Sequence, residues 1–246
     1  MRRLISSIFE KFGYKIIREK KGEFSPEFLE EYTKISDLTM VDRSGALAVW
    51  DAVDHVVNRS IEGDLVECGI WRGGISILMA RRLATLGSKT RKLWLFDTFE
   101  GMSEPTEVDM DKHGVAASDQ LSQASKTDEE NNVWAYASDE AVASNFRKSG
   151  VDPSICNFVK GKVEDTIPKN MPKKISILRL DTDWYESTKH ELEYLYPKLS
   201  TGGVLLIDDY QYWGGCHQAV EEYFSDKSQR PFFATLANGS LVSIKI

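Results

Sequence analysis

Four apolar runs in this chain stop on carboxylates, and that punctuation constrains the fold more than any other feature. Residues 64–70 read Asp-Leu-Val-Glu-Cys-Gly-Ile, residues 92–98 carry Asp97, residues 175–183 end Arg-Leu-Asp-Thr-Asp, and residues 204–209 end Ile-Asp-Asp. Each run is short and mostly apolar, the pattern of a strand buried in a parallel sheet. Residues 156–160 supply a fifth such run. Helical stretches alternate with them: 41–58, where Ala46, Val49, Trp50, Val53 and Val57 share a face, then 75–86, 137–148, 186–199 and 216–224. The 186–199 helix is expected to end on a glycine cap at 201–203. Asn238-Gly239 between two apolar runs predicts a terminal antiparallel hairpin. The fold class that follows is α/β, a doubly wound, mostly parallel, Rossmann-like sheet with helices on both faces.

The chain divides into an N-terminal helical extension, 1–38, and a single domain, 39–246. About 101–136 is an insertion too long for a plain connection, and it is expected to form a lid. The 246 residues carry a formal charge of -7, which argues against a nucleic-acid partner, since phosphate neutralisation needs a basic face. No apolar run is long enough to span a bilayer, and the start does not read as a signal peptide. Three cysteines suit a reducing, cytoplasmic setting. Residues 1–22 hold seven basic side chains against two acids, with Leu4, Ile5, Ile8, Phe9 and Phe12 at helical spacing. Packing on the body or on a dimer mate outweighs peripheral contact with an acidic partner or membrane surface. Residues 100–131 hold nine acids against Lys112 and Lys126, so the lid is acidic.

Ligands of open parallel sheets bind beyond the carboxyl ends of the strands. After the first strand stand Glu67, Gly69, Trp71, Gly73 and Gly74, where glycines admit backbone to a ligand and a helix N-terminus follows. The spacing is not that of a dinucleotide fingerprint. Glu67 would attract an ammonium group, and Asp97 is placed for a ribose diol. S-adenosylmethionine satisfies both. A tight turn with helix-capping acids is the plainer alternative. At the other strand ends Asp181, Asp183, Asp208 and Asp209 should converge, and such acids repel unless a cation sits among them. Hard carboxylate oxygens suit Mg²⁺. Strand alternation gives 181 and 183 the same facing. Asp181-x-Asp183 alone also fits a metal-dependent glycosyltransferase, and a non-catalytic cofactor-binding module is a third possibility.

Taken together, residues 63–74, 96–101, 159–168, 179–188, 199–210 and 213–220 resemble the macrocin O-methyltransferase family, the sugar-modifying enzymes of macrolide and aminocoumarin biosynthesis. The resemblance implies a class I methyltransferase fold and an S-adenosyl-L-methionine- and Mg²⁺-dependent O-methyltransferase. It implies Asp181, Asp208 and Asp209 as metal ligands and Asp183 as general base. Glu67, Gly69, Trp71 and Asp97 would line the cofactor site, with Thr39 and Met40 closing it. Some members carry a histidine just before the helix that starts near residue 137. Here 128–134 reads Asp-Glu-Glu-Asn-Asn-Val-Trp, and the lid histidine is His113. His113, Trp184 and Tyr210 are candidate acceptor contacts, each with simple packing or surface placement as the alternative. The expected acceptor is a neutral or amino sugar, free or within a glycan or natural product.

Overall fold

The computed structural model describes residues 24–127, 132–226, 228 and 230–246. The amphipathic start at 1–22 and the lid acids Asp128, Glu129 and Glu130 lie outside the described residues. Among the described residues one sheet has seven strands in the order β3-β2-β1-β4-β5-β7-β6. They are β1 (Asp64–Cys68), β2 (Leu93–Asp97), β3 (Cys156–Lys160), β4 (Ile175–Leu180), β5 (Leu199–Ile207), β6 (Ala234–Thr235) and β7 (Leu241–Ile244). The first five pair in parallel. The C-terminal hairpin adds β7 and β6 antiparallel at the β5 edge, with Gly239 in the left-handed conformation its turn requires.

Strand alternation sends side chains into two cores. Leu65, Leu93, Leu95, Ile177 and Leu206 meet α1 (Pro26–Ile35), α2 (Arg43–Asn58), α3 (Gly74–Thr85) and α5 (Asp139–Lys148). Val66, Phe96, Leu178, Leu180 and Ile207 meet α7 (Tyr185–Leu195), α8 (Gly214–Tyr223) and the short lid helix α4 (Ala117–Gln123). The four-residue α6 (Val163–Thr166) follows β3. Order in the sheet reverses between β1 and β4, and that switch point opens a crevice at their carboxyl ends.

Residues 26–35 form a packed helix. Ser25 caps it by accepting the Phe28 N–H, Pro26 occupies its first turn, and Phe28 and Ile35 are fully buried in the first core. The predicted glycine cap at 201–203 is corrected. The helix stops at Leu195, because Pro197 has no N–H to continue the ladder. Gly202, at φ 82°, instead lies in the irregular start of β5 and donates its N–H to the Lys245 carbonyl. Lid helix α4 escaped the sequence reading because only Ala117 and Leu121 face inward over its seven residues.

Candidate functional site

A cavity of about 570 Å³ lies at the carboxyl ends of β1, β2, β4 and β5. It is lined by Thr39, Met40, Glu67, Gly69, Trp71, Asp97, Asp181, Asp183, Asp208 and Asp209, which the sequence reading had singled out across nearly the whole chain.

The β1 end is shaped by close backbone approach. Gly69 sits at φ 78°, and a Cβ there would fall 1.9 Å from the Asp181 carbonyl oxygen, so only glycine lets this loop lie against the β4 end. Asp97 organises the loop from the side. Its Oδ2 accepts the N–H groups of Ile70 at 2.8 Å and Trp71 at 3.2 Å, and its Oδ1 accepts that of Phe99 at 2.7 Å. Burial pushes the Asp97 carboxyl above its ordinary range, against the pull of these three donors. Trp71 holds a strained φ of 47°, with the Arg72 guanidinium 4.6 Å from its ring centre. Gly73, at φ 86°, does not line the cavity. It starts α3, and a Cβ there would meet the Phe146 ring at 2.7 Å, so its glycine serves packing rather than a ligand.

At the metal-type end an arginine stands among the acids. Arg179, 2% exposed, donates through Nη1 to Glu67 Oε1 at 2.7 Å and to Asp181 Oδ2 at 2.7 Å. Its Nη2 lies 2.9 Å from Asp208 Oδ2 in ion-pair contact, without hydrogen-bond geometry. The other oxygen of Glu67 accepts the Ser76 hydroxyl, and Asp208 Oδ1 accepts that of Ser240 at 2.8 Å. Glu67 is therefore a buried, doubly engaged acid rather than a bare one. Sequence reasoning assigned Arg179 no role, although a lone arginine in a strand buried at every position needs partners. The β1–β4 register supplies one by placing Glu67 opposite Arg179.

One positive charge does not balance five acids. Oxygens of Asp181, Asp208 and Asp209 lie within 4.8 Å of one another. Burial raises the Asp181 carboxyl well above its ordinary range; Arg179 opposes this, and Asp208 and Asp209 add to it. Asp183 is raised well above its range too, first by burial and then by Asp209 and Asp181. Asp209 is pushed up to about 6 by burial and by Asp208.

The route by which Asp181 and Asp183 meet differs from the expected alternation. β4 ends at Leu180, and Asp183 turns inward through a left-handed φ of 68°. A non-glycine residue there is strained, the sort of cost usually found at functional sites. The three candidate acceptor contacts are also corrected, since none lines the cavity. Trp184 is 2% exposed, donates Nε1–H to the Ser103 carbonyl and packs edge-on against Trp213, so its size serves the core. The Tyr210 hydroxyl donates to Glu221 at 2.8 Å, and its ring lies against His217. His113 is exposed on the lid turn. The wall is instead supplied by Met102, Ser103, Gln120, Asn132 and Val133 of the lid with Tyr212 and Trp213. Irregular lid segments give no periodic signal, which is why these residues were missed.

The macrocin-O-methyltransferase (TylF) family matches residues 3–234. The chain belongs to that family. It is 40% identical over 171 residues to the "8-demethyl-8-(2,3-dimethoxy-alpha-L-rhamnosyl)-tetracenomycin-C 4'-O-methyltransferase" of Streptomyces olivaceus, covering 70% of this chain and 61% of that enzyme. The match thus spans less than two thirds of that relative's length. It is 35% identical over 185 residues to the demethyldecarbamoylnovobiocin O-methyltransferase of Streptomyces niveus, covering 75% of this chain and 67% of that one. Among solved structures, the O-methyltransferase NovP superposes with a TM-score of 0.73 at 30% identity, covering 87% of this chain and 88% of its own. The calicheamicin methyltransferase CalS11, at 15% identity and a TM-score of 0.58, shares the fold.

Proposed function

We propose that this member of the family transfers a methyl group from S-adenosyl-L-methionine to a hydroxyl of a sugar or of a sugar-bearing natural product or glycan, with Mg²⁺ held by Asp181, Asp208 and Asp209. The observation that carries the metal reading is the uncompensated cluster: three carboxylates within 4.8 Å with a single buried arginine beside them. Hard oxygen donors of this kind fit a small divalent ion. The glycine-tight β1 loop beside Glu67 and Asp97 offers the cradle for the cofactor's polar end. The tetracenomycin relative, whose name gives a rhamnosyl-bearing substrate, supports the acceptor class, and the novobiocin relative supports a natural-product acceptor.

When bound, the ion supplies Lewis acidity that lowers the pKa of an acceptor hydroxyl. Asp183, turned into the cavity with its carboxyl raised above its ordinary range by burial, takes the acceptor's proton on a carboxylate oxygen. The acceptor oxygen gains the methyl carbon as the carbon–sulfur bond breaks, leaving S-adenosylhomocysteine. Arg179 holds Glu67 and Asp181 in register, so the cofactor and acceptor halves of the cavity keep one spacing.

The lid's charge bears on the acceptor. Asp109 is fully buried, and Asp111 accepts the His113 and Val115 N–H groups, so both acids are engaged within the lid. Glu100, Glu104, Glu107 and Asp119 remain exposed against Lys112 and Lys126. With Asp128, Glu129 and Glu130 of the same segment, this acidic surplus favours a neutral or amino sugar over an anionic one. No helix among the described residues is long and apolar enough to cross a membrane. The three cysteines are free thiols, consistent with a cytoplasmic setting.

The test is calorimetry with S-adenosylhomocysteine and with a uridine diphosphate sugar, then turnover of S-adenosylmethionine on neutral and phosphorylated sugars with and without chelator. Binding of the S-adenosyl ligand and chelator-sensitive methylation of a neutral sugar are expected. Binding of the nucleotide sugar alone would sink the methyltransferase reading. A chelator-insensitive rate removes the metal, and a phosphosugar as the best acceptor removes the lid argument.

A further inference from the structure

Asp109 lies at the base of the lid with none of its surface exposed. Its Oδ1 accepts the Tyr185 N–H at 2.8 Å, and its Oδ2 accepts the Thr106 N–H at 2.7 Å and the Thr106 hydroxyl at 2.8 Å. Its carbonyl accepts the Ala117 N–H, which opens α4. A Cβ on Gly215 would fall 1.7 Å from Asp109 Oδ1. The carboxylate therefore occupies the space a side chain would need in the first turn of α8, while it caps the first turn of α7. Helix N-termini carry unpaired N–H groups and partial positive charge, so an anion between two of them is well placed. The same lid turn reaches α8 by backbone as well: Gly214 N–H donates to the Met110 carbonyl, and Asp111 bridges Trp213.

These two helices begin just beyond the acids of the site. Tyr185 follows Asp183 by one intervening residue, and Gly214 follows Asp209 by one short loop. We propose that Asp109 is a positioning residue, which clamps the lid onto both acid-bearing loops so that lid wall, Asp183 and Asp209 keep one geometry around the acceptor. The inference rests on the reading of this cavity as a metal-assisted methyl-transfer site, because only there does that geometry govern a reaction. The burial, the three acceptor contacts and the fit to Gly215 are independent of that reading.

Two substitutions attack the clamp from opposite sides. Asp109→Asn keeps an acceptor for Tyr185 but turns an amide donor toward the Thr106 N–H. Gly215→Ala places a methyl where Oδ1 sits. Each is measured by hydrogen exchange over residues 101–124, by calorimetry with S-adenosylhomocysteine, and by electron paramagnetic resonance titration with Mn²⁺ alone. Each single variant should raise lid exchange and weaken Mn²⁺ binding about tenfold, with S-adenosylhomocysteine affinity within about twofold of wild type. In an Asp109→Ala background, Gly215→Ala should add clearly less than it costs alone, because the oxygen it strikes at 1.7 Å is gone and only the Tyr185 backbone nitrogen, 2.9 Å away, still crowds it. General destabilisation would not produce that rescue. Unchanged lid exchange in Asp109→Asn, or additive losses in the double variant, overturns the proposal. Failure of the wild type to bind S-adenosylhomocysteine would instead refute the cofactor reading. Failure to bind Mn²⁺ would refute the metal, and lid exchange in the single and double variants then decides the clamp.

Discussion

Between α1 and α3, Arg81 and Arg82 answer their acids nearly one for one, whereas at the carboxyl ends of the strands Arg179 stands alone among five. Arg82 forks onto Asp54 at 2.5 and 2.7 Å, reaches Glu27 at 2.8 Å and lies 4.1 Å over the Trp50 ring. Arg81 pairs with Glu31, whose carboxyl it holds down at about 2. Both arginines of that seam are paired, and the outcome is a helix fastened to the body. Around Arg179 burial drives the Glu67, Asp181, Asp183 and Asp209 carboxyls upward instead, Asp209 to about 6. An arginine among acids is structural where the charges close, and marks a place for another cation where they do not.

The largest effect that tests this contrast is Asp181→Asn. Removing a ligand from the unbalanced cluster should cost at least about 10³-fold in turnover, the several kcal/mol that a metal's polarisation supplies. S-adenosylhomocysteine affinity, read by calorimetry, should stay near wild type. An active variant would place the cation elsewhere. Asp183→Asn should lower kcat about 10²–10⁴-fold while Mn²⁺ affinity holds, because it removes a base and not a ligand. Loss of both together would fold Asp183 into the ligand set.

On the balanced side, Arg82→Met should cost about 2 kcal/mol of stability, read from the denaturant midpoint, with S-adenosylhomocysteine binding intact. Lost binding in a folded variant would show that the seam shapes the site.

The smallest effect is a divergence with pH. A carboxyl whose folded pKa lies above its unfolded value binds its proton more tightly in the native state, so stability rises as pH falls through that interval. The metal-free protein should therefore gain about 2–4 °C in Tm between pH 7 and 5, driven by Asp181, Asp183 and Asp209. Saturating Mg²⁺ should flatten the rise. Glu31 acts the other way: its pair contributes above its unfolded value near 4.5 and is lost as pH falls toward about 2. Glu31→Gln should leave the slope above pH 5 untouched. A Tm that falls from pH 7 to 5 without metal would show that the cluster is already compensated.

Among the described residues five non-glycine positions take positive φ: Trp71, Ala135 and Asp183 line the cavity, whereas Ser60 and Phe99 do not. No such backbone is found within the seam helices. Strain of this kind persists where surrounding contacts impose it.

The sequence alone was enough for the α/β class, the terminal hairpin and the row of acids at the strand ends, because those depend on periodicity and on residue types at run boundaries. It carried no trace of what joins across the sheet. Arg179 finds Glu67 only through the register of β1 on β4, Asp183 enters the cavity only by a left-handed turn, and Trp184 is withdrawn behind Trp213 by helix packing. Nor did the count of lid acids distinguish Asp109, buried between two helix starts, from Glu104 in water. A local pattern fixes which face a residue takes on its own element. Which charge meets which, and which acid is left without a partner, depends on contacts between residues far apart in the chain, and only the packed sheet and its helices decide those.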